Sequence, residues 1–154
     1  GSDGEWKCAG EGLAAIRGSM TRDELLQQLI PLGWGGHALD IGLRANFRCE
    51  YCHRDLLASC DDYVSWQTDH IVTVARGGAD HPSNYALSCK TCNFIKRHSV
   101  PGEPIDPVRD RRHAIDTISR LIQLRRASKE DRLKRIRALI ESSGLMPLIG
   151  EASR

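Results

Sequence analysis

Aromatic residues are scarce in this chain, and long apolar runs are missing from it. Phe, Trp and Tyr make up 5% of the 154 residues, so the bulky side chains that dominate core burial are few. The longest uninterrupted apolar segment is residues 13–16, far short of the ~20 residues that a membrane-spanning helix needs. The N-terminal region also lacks the apolar stretch of about 7–15 residues that is typical of a secretory signal. These absences predict a soluble cytoplasmic protein.

The net charge is small, but the charges are segregated along the chain. Lys and Arg total 22 against 20 Asp and Glu, a net charge of +2, which by itself favours no polyanionic partner. Residues 106–137, however, contain eleven Lys or Arg and five Asp or Glu, a net of +6, so the remainder carries −4. A basic surface is therefore expected only in the C-terminal part of the chain.

Four of the six cysteines form two CxxC pairs, Cys49 with Cys52 and Cys89 with Cys92, separated by 36 residues. Two such knuckles close a tetrahedral four-thiolate zinc site. Structural zinc contributes roughly 10–16 kcal/mol in small domains, against a total domain stability of about 5–15 kcal/mol. A structural Zn²⁺ held by these four thiolates would therefore compensate for the shortage of large apolar side chains.

Other readings of the cysteines stay open at this point. A CxxC pair can be a redox dithiol, and the segment from Cys49 to His53 matches the CxxCH string of haem attachment. Cys8 and Cys60 are left over and are interpreted as small buried residues or idle thiols. Cys60 is close enough to Cys52 in the sequence for an exchange of ligands.

Changes in composition and in motif content along the sequence divide the chain into four segments. Residues 1–20 are interpreted as an N-terminal extension, since Gly18, Ser19 and Met20 resemble a cloning remnant. Residues 21–43 form a helical lead-in, because Thr21 and Glu24 fit a capping box. The remaining segments are a core at 44–100 and a linker with basic helices at 101–154.

Local patterns predict the elements within the last two segments. Residues 63–68 alternate like a strand that leads into Asp69 and His70, residues 85–87 suggest a returning strand, and residues 91–98 suggest a helix. Apolar spacing and an N-cap signal at Ser128 predict two further helices, at about 107–127 and 129–143.

Between the two knuckles lies a set of residues suited to phosphodiester hydrolysis. A histidine such as His70 is a suitable general base near neutral pH, and a carboxylate such as Asp69 can hold a hard divalent cation. Neighbouring residues of an extended strand point to opposite faces, so Asp69 and His70 share a site only if the strand ends or twists there. Taken singly, each of these residues could equally be an ordinary polar surface residue.

The order DHI…GG…N…CxxCNxxK over about residues 44–99 resembles the zinc-knuckle branch of the HNH endonucleases, the ββα-metal or His-Me finger nucleases. The resemblance implies an α+β fold with a small ββα core stapled by zinc and flanked by helices. It implies that His70 is the general base and that Asn84 orders the loop and orients His70. It also implies that Asp69 and Asn93 are ligands of a single Mg²⁺ or Mn²⁺.

Two basic residues, Lys96 and Arg97, follow on the same predicted helix and are interpreted either as phosphate contacts or as part of a solvated face. The third signature position, a histidine in many members of the family, is Asn93 here. An amide oxygen favours magnesium or manganese over zinc at that position.

These features predict a metal-dependent endonuclease that hydrolyses duplex DNA, with a role in restriction or anti-phage defence, and the resemblance implies 5′-phosphate and 3′-hydroxyl ends. The alternative is a non-catalytic zinc-binding module that binds nucleic acid or a protein partner. A third hypothesis is that the protein is the nuclease subunit of a larger assembly. The basic helices would either bind the DNA backbone with release of counterions or form a docking surface for a protein partner.

Overall fold

The structure is a computed structural model that describes residues 18–97 and 101–145. Most of the expected N-terminal extension, including Cys8, lies outside the described residues, as does the end of the helix expected at 91–98. The chain divides into two units, residues 1–39 and residues 40–154.

The described part of the first unit is helical. Helix α1 spans Arg22–Leu29 and begins with the predicted capping box: the Glu24 amide donates to Thr21 Oγ1 at 3.2 Å, and the Thr21 amide donates to Glu24 Oε2 at 2.8 Å. A 3₁₀ turn at Ile30–Leu32 follows. Helix α2 spans Gly36–Arg44 and continues into the second unit.

The second unit is built on two antiparallel strands and the helix that follows them. Strand β1 is Trp66–His70 and strand β2 is Tyr85–Cys89, in a register that pairs Trp66 with Cys89 and His70 with Tyr85. Helix α4 spans Lys90–Lys96 and starts directly after β2. This order confirms the predicted α+β class and the ββα core with flanking helices.

The predicted position of the first strand, residues 63–68, is wrong, because β1 spans Trp66–His70. Ser59 instead caps a short helix, α3, at Cys60–Tyr63, and its hydroxyl accepts from the Asp62 amide at 3.1 Å. Acidic residues in the first turn favour such a helix, and α3 contains Asp61 and Asp62 there. Strand β1 therefore begins later than expected and includes Asp69 and His70.

The two C-terminal helices expected from the sequence are also wrong, because one helix, α5, spans Arg111–Ser143 without a break. Ser128 provides only a weak N-cap signal, and a serine inside a helix costs well under 1 kcal/mol. No Gly or Pro occurs between residues 111 and 143. The helix has 33 residues, which corresponds to about 50 Å at 1.5 Å per residue.

The core lies between the cysteine knuckles, the two strands, α4 and the first half of α5. Ala114, Ile118 and Ile122 are buried there at 0–1% exposure. The same apolar stripe continues along α5, but Leu133 is 61% exposed and Ile136 is 46% exposed. The stripe therefore packs only where α5 lies against the core. None of the helices in the described part of the chain has the length and apolar character of a membrane span.

Candidate metal centre and nuclease site

The two CxxC knuckles converge on one point. The Sγ atoms of Cys49, Cys52, Cys89 and Cys92 all lie within 4.8 Å of one another, and Cys52 Sγ is 3.8 Å from Cys89 Sγ. A tetrahedral zinc with Zn–S bonds of about 2.3 Å requires sulfur–sulfur distances of about 3.8 Å. The donor set and its spacing fit zinc, and the cluster that the described residues form does not include Cys60, which is exposed on α3.

The close approach of the four thiols shifts their pKa values. Hydrogen bonds from Cys52, and then from Cys89 and Cys92, lower the pKa of the Cys49 thiol far below its ordinary value. The Cys92 thiol, which shares hydrogen bonds with Cys49 first, has its pKa raised far above that value. A metal ligand must be a thiolate, and this cluster already favours thiolate character at Cys49.

Glu50, inside the first knuckle, connects the metal centre to the rest of the core. Its amide donates to the Leu87 carbonyl at 2.8 Å, and its Oε2 accepts from the Leu87 amide at 2.8 Å. Arg111 Nη2 lies 2.7 Å from Glu50 Oε1, and Arg44 Nη2 lies 4.0 Å from Oε2. Burial, and then the charge of Arg111, lower the pKa of Arg44. The Glu50 side chain therefore connects Arg44, Arg111 of α5 and strand β2 to the first knuckle.

Strand β1 and helix α4 face each other through two polar pairs. Gln67 and Asp69 are two apart on β1, so they share a face of the strand. Asn93 and Lys96 are three apart on α4 and share a face of the helix. Asn93 Nδ2 donates to Gln67 Oε1 at 2.5 Å, and Lys96 Nζ lies 2.8 Å from Asp69 Oδ2. The two expected cation ligands, Asp69 and Asn93, thus belong to the same strand–helix interface.

The expectation that Lys96 contacts phosphate needs correction. Its side chain is 1% exposed, and its ammonium donates to the His70 carbonyl oxygen at 2.6 Å in addition to pairing with Asp69. Lys96 follows Cys92 and Asn93 on the inward side of α4, so its charge is turned into the protein. Arg97, in contrast, is exposed at the end of α4.

Tyr51 completes the surroundings of Asp69 and was missed by the sequence analysis. Its hydroxyl donates to Asp69 Oδ2 at 2.6 Å, and the residue is 1% exposed. Burial, and then the charge of Asp69, raise the pKa of Tyr51 well above its ordinary value. The hydroxyl therefore remains a donor at any working pH.

His70 is the last residue of β1, which satisfies the condition that the strand end at the site. It is paired in register with Tyr85, and the centroids of the two rings lie 4.8 Å apart. The Tyr85 hydroxyl in turn donates to Asp80. The imidazole is thus next to a ring that is itself anchored in the β1–β2 loop.

Asn84 closes this loop and is 1% exposed. Its Nδ2 donates to the carbonyls of Val72 at 2.9 Å and Ala79 at 2.8 Å, and its Oδ1 accepts from the Val72 amide at 2.9 Å. The loop also needs a glycine, because a Cβ on Gly78 would lie 1.9 Å from the Val72 carbonyl oxygen. These contacts explain why the motif has a glycine at position 78 and an asparagine at position 84.

Helix α5 supports α4 directly. Arg125 Nη1 donates to the carbonyls of Ile95 at 3.2 Å and Lys96 at 3.1 Å. Arg126 Nη2 lies 3.7 Å from Cys92 Sγ. Two residues of the basic segment 106–137, from which a basic surface was expected, therefore contact the end of α4 and the thiol of Cys92.

The site thus combines four clustered cysteines that could hold a metal ion, two antiparallel strands of which the first ends in Asp69 and His70, and a helix that carries Asn93. Residues 49–99 match the family model described as HNH endonuclease, and the four-cysteine cluster in this segment is consistent with the zinc-knuckle branch of that family. Comparison with curated proteins and with solved structures found no match.

Proposed function

We propose that the protein is a metal-dependent endonuclease that hydrolyses phosphodiester bonds of DNA. The observation that carries this proposal is that Asp69 and His70 lie at the end of β1, beside an α4 that presents Asn93, within an HNH domain. A purely structural zinc module requires none of these three side chains.

Two metals are proposed with separate tasks. A structural Zn²⁺ on the four cysteines fixes the knuckles, and its removal unfolds the domain. The carboxylate of Asp69 and the amide oxygen of Asn93 are hard donors that fit Mg²⁺ or Mn²⁺. When bound, such a cation stabilises the charge that develops on the scissile phosphate and the leaving oxygen.

The protein's own residues supply the remaining chemistry. The His70 imidazole accepts a proton from the water that attacks the phosphorus, and this general base step is worth about 10²–10⁴-fold. Tyr85, with its ring 4.8 Å away, and the loop closed by Asn84 hold the imidazole at the strand end. Cleavage leaves a 5′-phosphate and a 3′-hydroxyl group.

The exposed second half of α5 is proposed to bind the duplex backbone. Arg132, Lys134, Arg135 and Arg137 are all exposed there, and cations on a surface bind phosphates with release of counterions. A cytoplasmic location and a role in restriction or anti-phage defence fit such an enzyme.

One observation favours the alternative of a non-catalytic zinc-binding module that binds nucleic acid or a protein partner. Asp69, the proposed cation ligand, already pairs with the buried ammonium of Lys96. An ammonium at this oxygen competes with a divalent cation for the carboxylate. Activity therefore has to be measured together with its dependence on metal.

The deciding experiment incubates zinc-loaded protein with supercoiled plasmid in Mg²⁺, in Mn²⁺ and with neither cation added. The proposal expects nicked or linear product with either cation and none without them, while zinc content stays at one ion per chain. The absence of cleavage under every condition, with binding of the plasmid retained, would favour the non-catalytic module.

A further inference from the structure

An exposed aromatic ring on α4, one position after Asn93 in the sequence, has two cations over it. Phe94 follows Asn93 on α4 and is 56% exposed. The guanidinium carbon of Arg97 lies 4.6 Å from the centroid of its ring, and Lys129 Nζ of α5 lies 5.6 Å from it. We call Phe94, Arg97 and Lys129 the Phe94 patch.

The Phe94 patch does not serve the packing of α4. The residues of α4 that are buried are Cys92, Ile95 and Lys96, so Phe94 lies on the outward side of the helix. Single exposed apolar residues are common on protein surfaces. Phe94 differs from them because two cations converge on its ring, one from Arg97 directly after α4 and one from Lys129 of α5.

A flat apolar ring between two positive charges matches the chemistry of a nucleotide. A base can stack on an aromatic ring or on a guanidinium plane, while phosphates bind the cations. In an intact duplex the faces of each base are covered by its neighbours, so stacking on a protein ring requires a base that is unpaired.

We propose that the Phe94 patch binds an unpaired nucleotide of the substrate: its base takes the place of the cations over the ring of Phe94, and Arg97 and Lys129 bind the adjacent phosphates. The substrate class would then be DNA with an unpaired nucleotide within or beside a duplex. This inference rests on the proposed function for its meaning, but the binding itself can be measured without catalysis.

The experiment measures binding by fluorescence anisotropy with zinc-loaded protein and without added Mg²⁺ or Mn²⁺, so that no probe is cleaved. The probes are a fully paired duplex and the same duplex with one bulged nucleotide. Wild type is compared with Phe94→Ala, with Phe94→Trp, which keeps a stacking surface, and with Leu57→Ala, a matched control because Leu57 is 54% exposed on another part of the domain. Zinc content and thermal melting verify that each variant is folded.

The proposal expects wild type to bind the bulged probe more tightly than the paired one. Phe94→Ala should weaken binding of the bulged probe by roughly tenfold or more and abolish the difference between probes. Phe94→Trp and Leu57→Ala should retain that difference. Replacing Arg97 and Lys129 by Gln should lower the log–log salt slope by about two, whereas Phe94→Ala should leave the slope unchanged.

Equal binding of the two probes by wild type would overturn the proposal, as would an equal loss on both probes in Phe94→Ala or unchanged binding in that variant. These outcomes are separate from the test of the proposed function. Metal-dependent cleavage together with equal binding of the two probes would refute only the role of the Phe94 patch. Selective binding of the bulged probe without any cleavage would refute only the proposed endonuclease activity.

Discussion

Lys96 and Asp69 form a buried ion pair between α4 and β1, with 2.8 Å between Nζ and Oδ2 and side-chain exposures of 1% and 9%. The same ammonium donates to the carbonyl oxygen of His70. One side chain thus fixes both residues of the Asp-His pair relative to the helix that carries Asn93. We therefore expect Lys96 to act as a positioning residue of the proposed site.

Removal of the Lys96 charge should destabilise the domain. In Lys96→Met the Asp69 carboxylate stays buried with Tyr51 as its remaining donor, and loss of one partner of a buried pair costs about 3–5 kcal/mol. The double variant Asp69→Asn with Lys96→Met removes both charges, so it should recover part of that loss. Urea denaturation of the zinc-loaded proteins measures both values. A single variant as stable as wild type would show that the ion pair has no structural role.

The four-cysteine site should control folding. Cys89→Ser removes a ligand that also caps α4, and we expect loss of bound zinc together with loss of the helical circular dichroism signal from the core. Cys60→Ser is the matched control, because Cys60 is exposed and lies outside the cluster. Full zinc occupancy in Cys89→Ser, or equal loss in Cys60→Ser, would contradict the assignment of ligands.

The β1–β2 loop should not tolerate a side chain at position 78. Gly78→Ala places a Cβ 1.9 Å from the Val72 carbonyl oxygen and 2.9 Å from Asn84 Nδ2. Relief of such overlap typically costs about 1–3 kcal/mol, so thermal melting should fall clearly. Gly102→Ala, where the added Cβ has no atom within 4 Å, should melt like wild type. Equal melting of the two variants would contradict this account of the loop.

The basic residues of α5 should separate into two groups. Replacing Arg132, Lys134, Arg135 and Arg137 by Gln should weaken DNA binding and lower the salt slope by as much as about 0.9 per lost phosphate contact, with zinc retention unchanged. Arg126→Met should instead accelerate the loss of zinc to a chelator, because Arg126 donates to Cys92 Sγ. An unchanged salt slope in the first variant would favour a docking surface for a protein partner over DNA contact.

The features that the sequence predicted well depend on local spacing. The two CxxC knuckles need only their two-residue gaps, and the capping box at Thr21 and Glu24 is complete within four residues. The two strands and the following helix were expected in the right order. Strand β1 begins later than expected because Ser59 and the acidic residues after it form helix α3. The roles of His70, Asn84, Asp69 and Asn93 stay predictions.

The features that the sequence did not predict depend on contacts between distant residues. Tyr51 and Asp69 are 18 positions apart, and His70 and Lys96 are 26 apart, so no local pattern distinguishes a buried lysine from a phosphate ligand. The continuity of α5 was missed because Ser128 looks like a cap but lacks a helix-breaking neighbour. Arg125 and Arg126 belong to the basic segment by sequence, and only the packing of α4 against α5 shows that they contact α4.

The most direct test of the central claim is the single-turnover cleavage rate of His70→Ala with saturating Mn²⁺. Loss of the general base should lower this rate by about 10²–10⁴-fold, with one zinc per chain and an unchanged melting temperature. His113→Ala, an exposed histidine on α5, should cleave at the wild-type rate. Cleavage by His70→Ala within a few-fold of wild type would contradict the claim that this protein hydrolyses DNA through its HNH site.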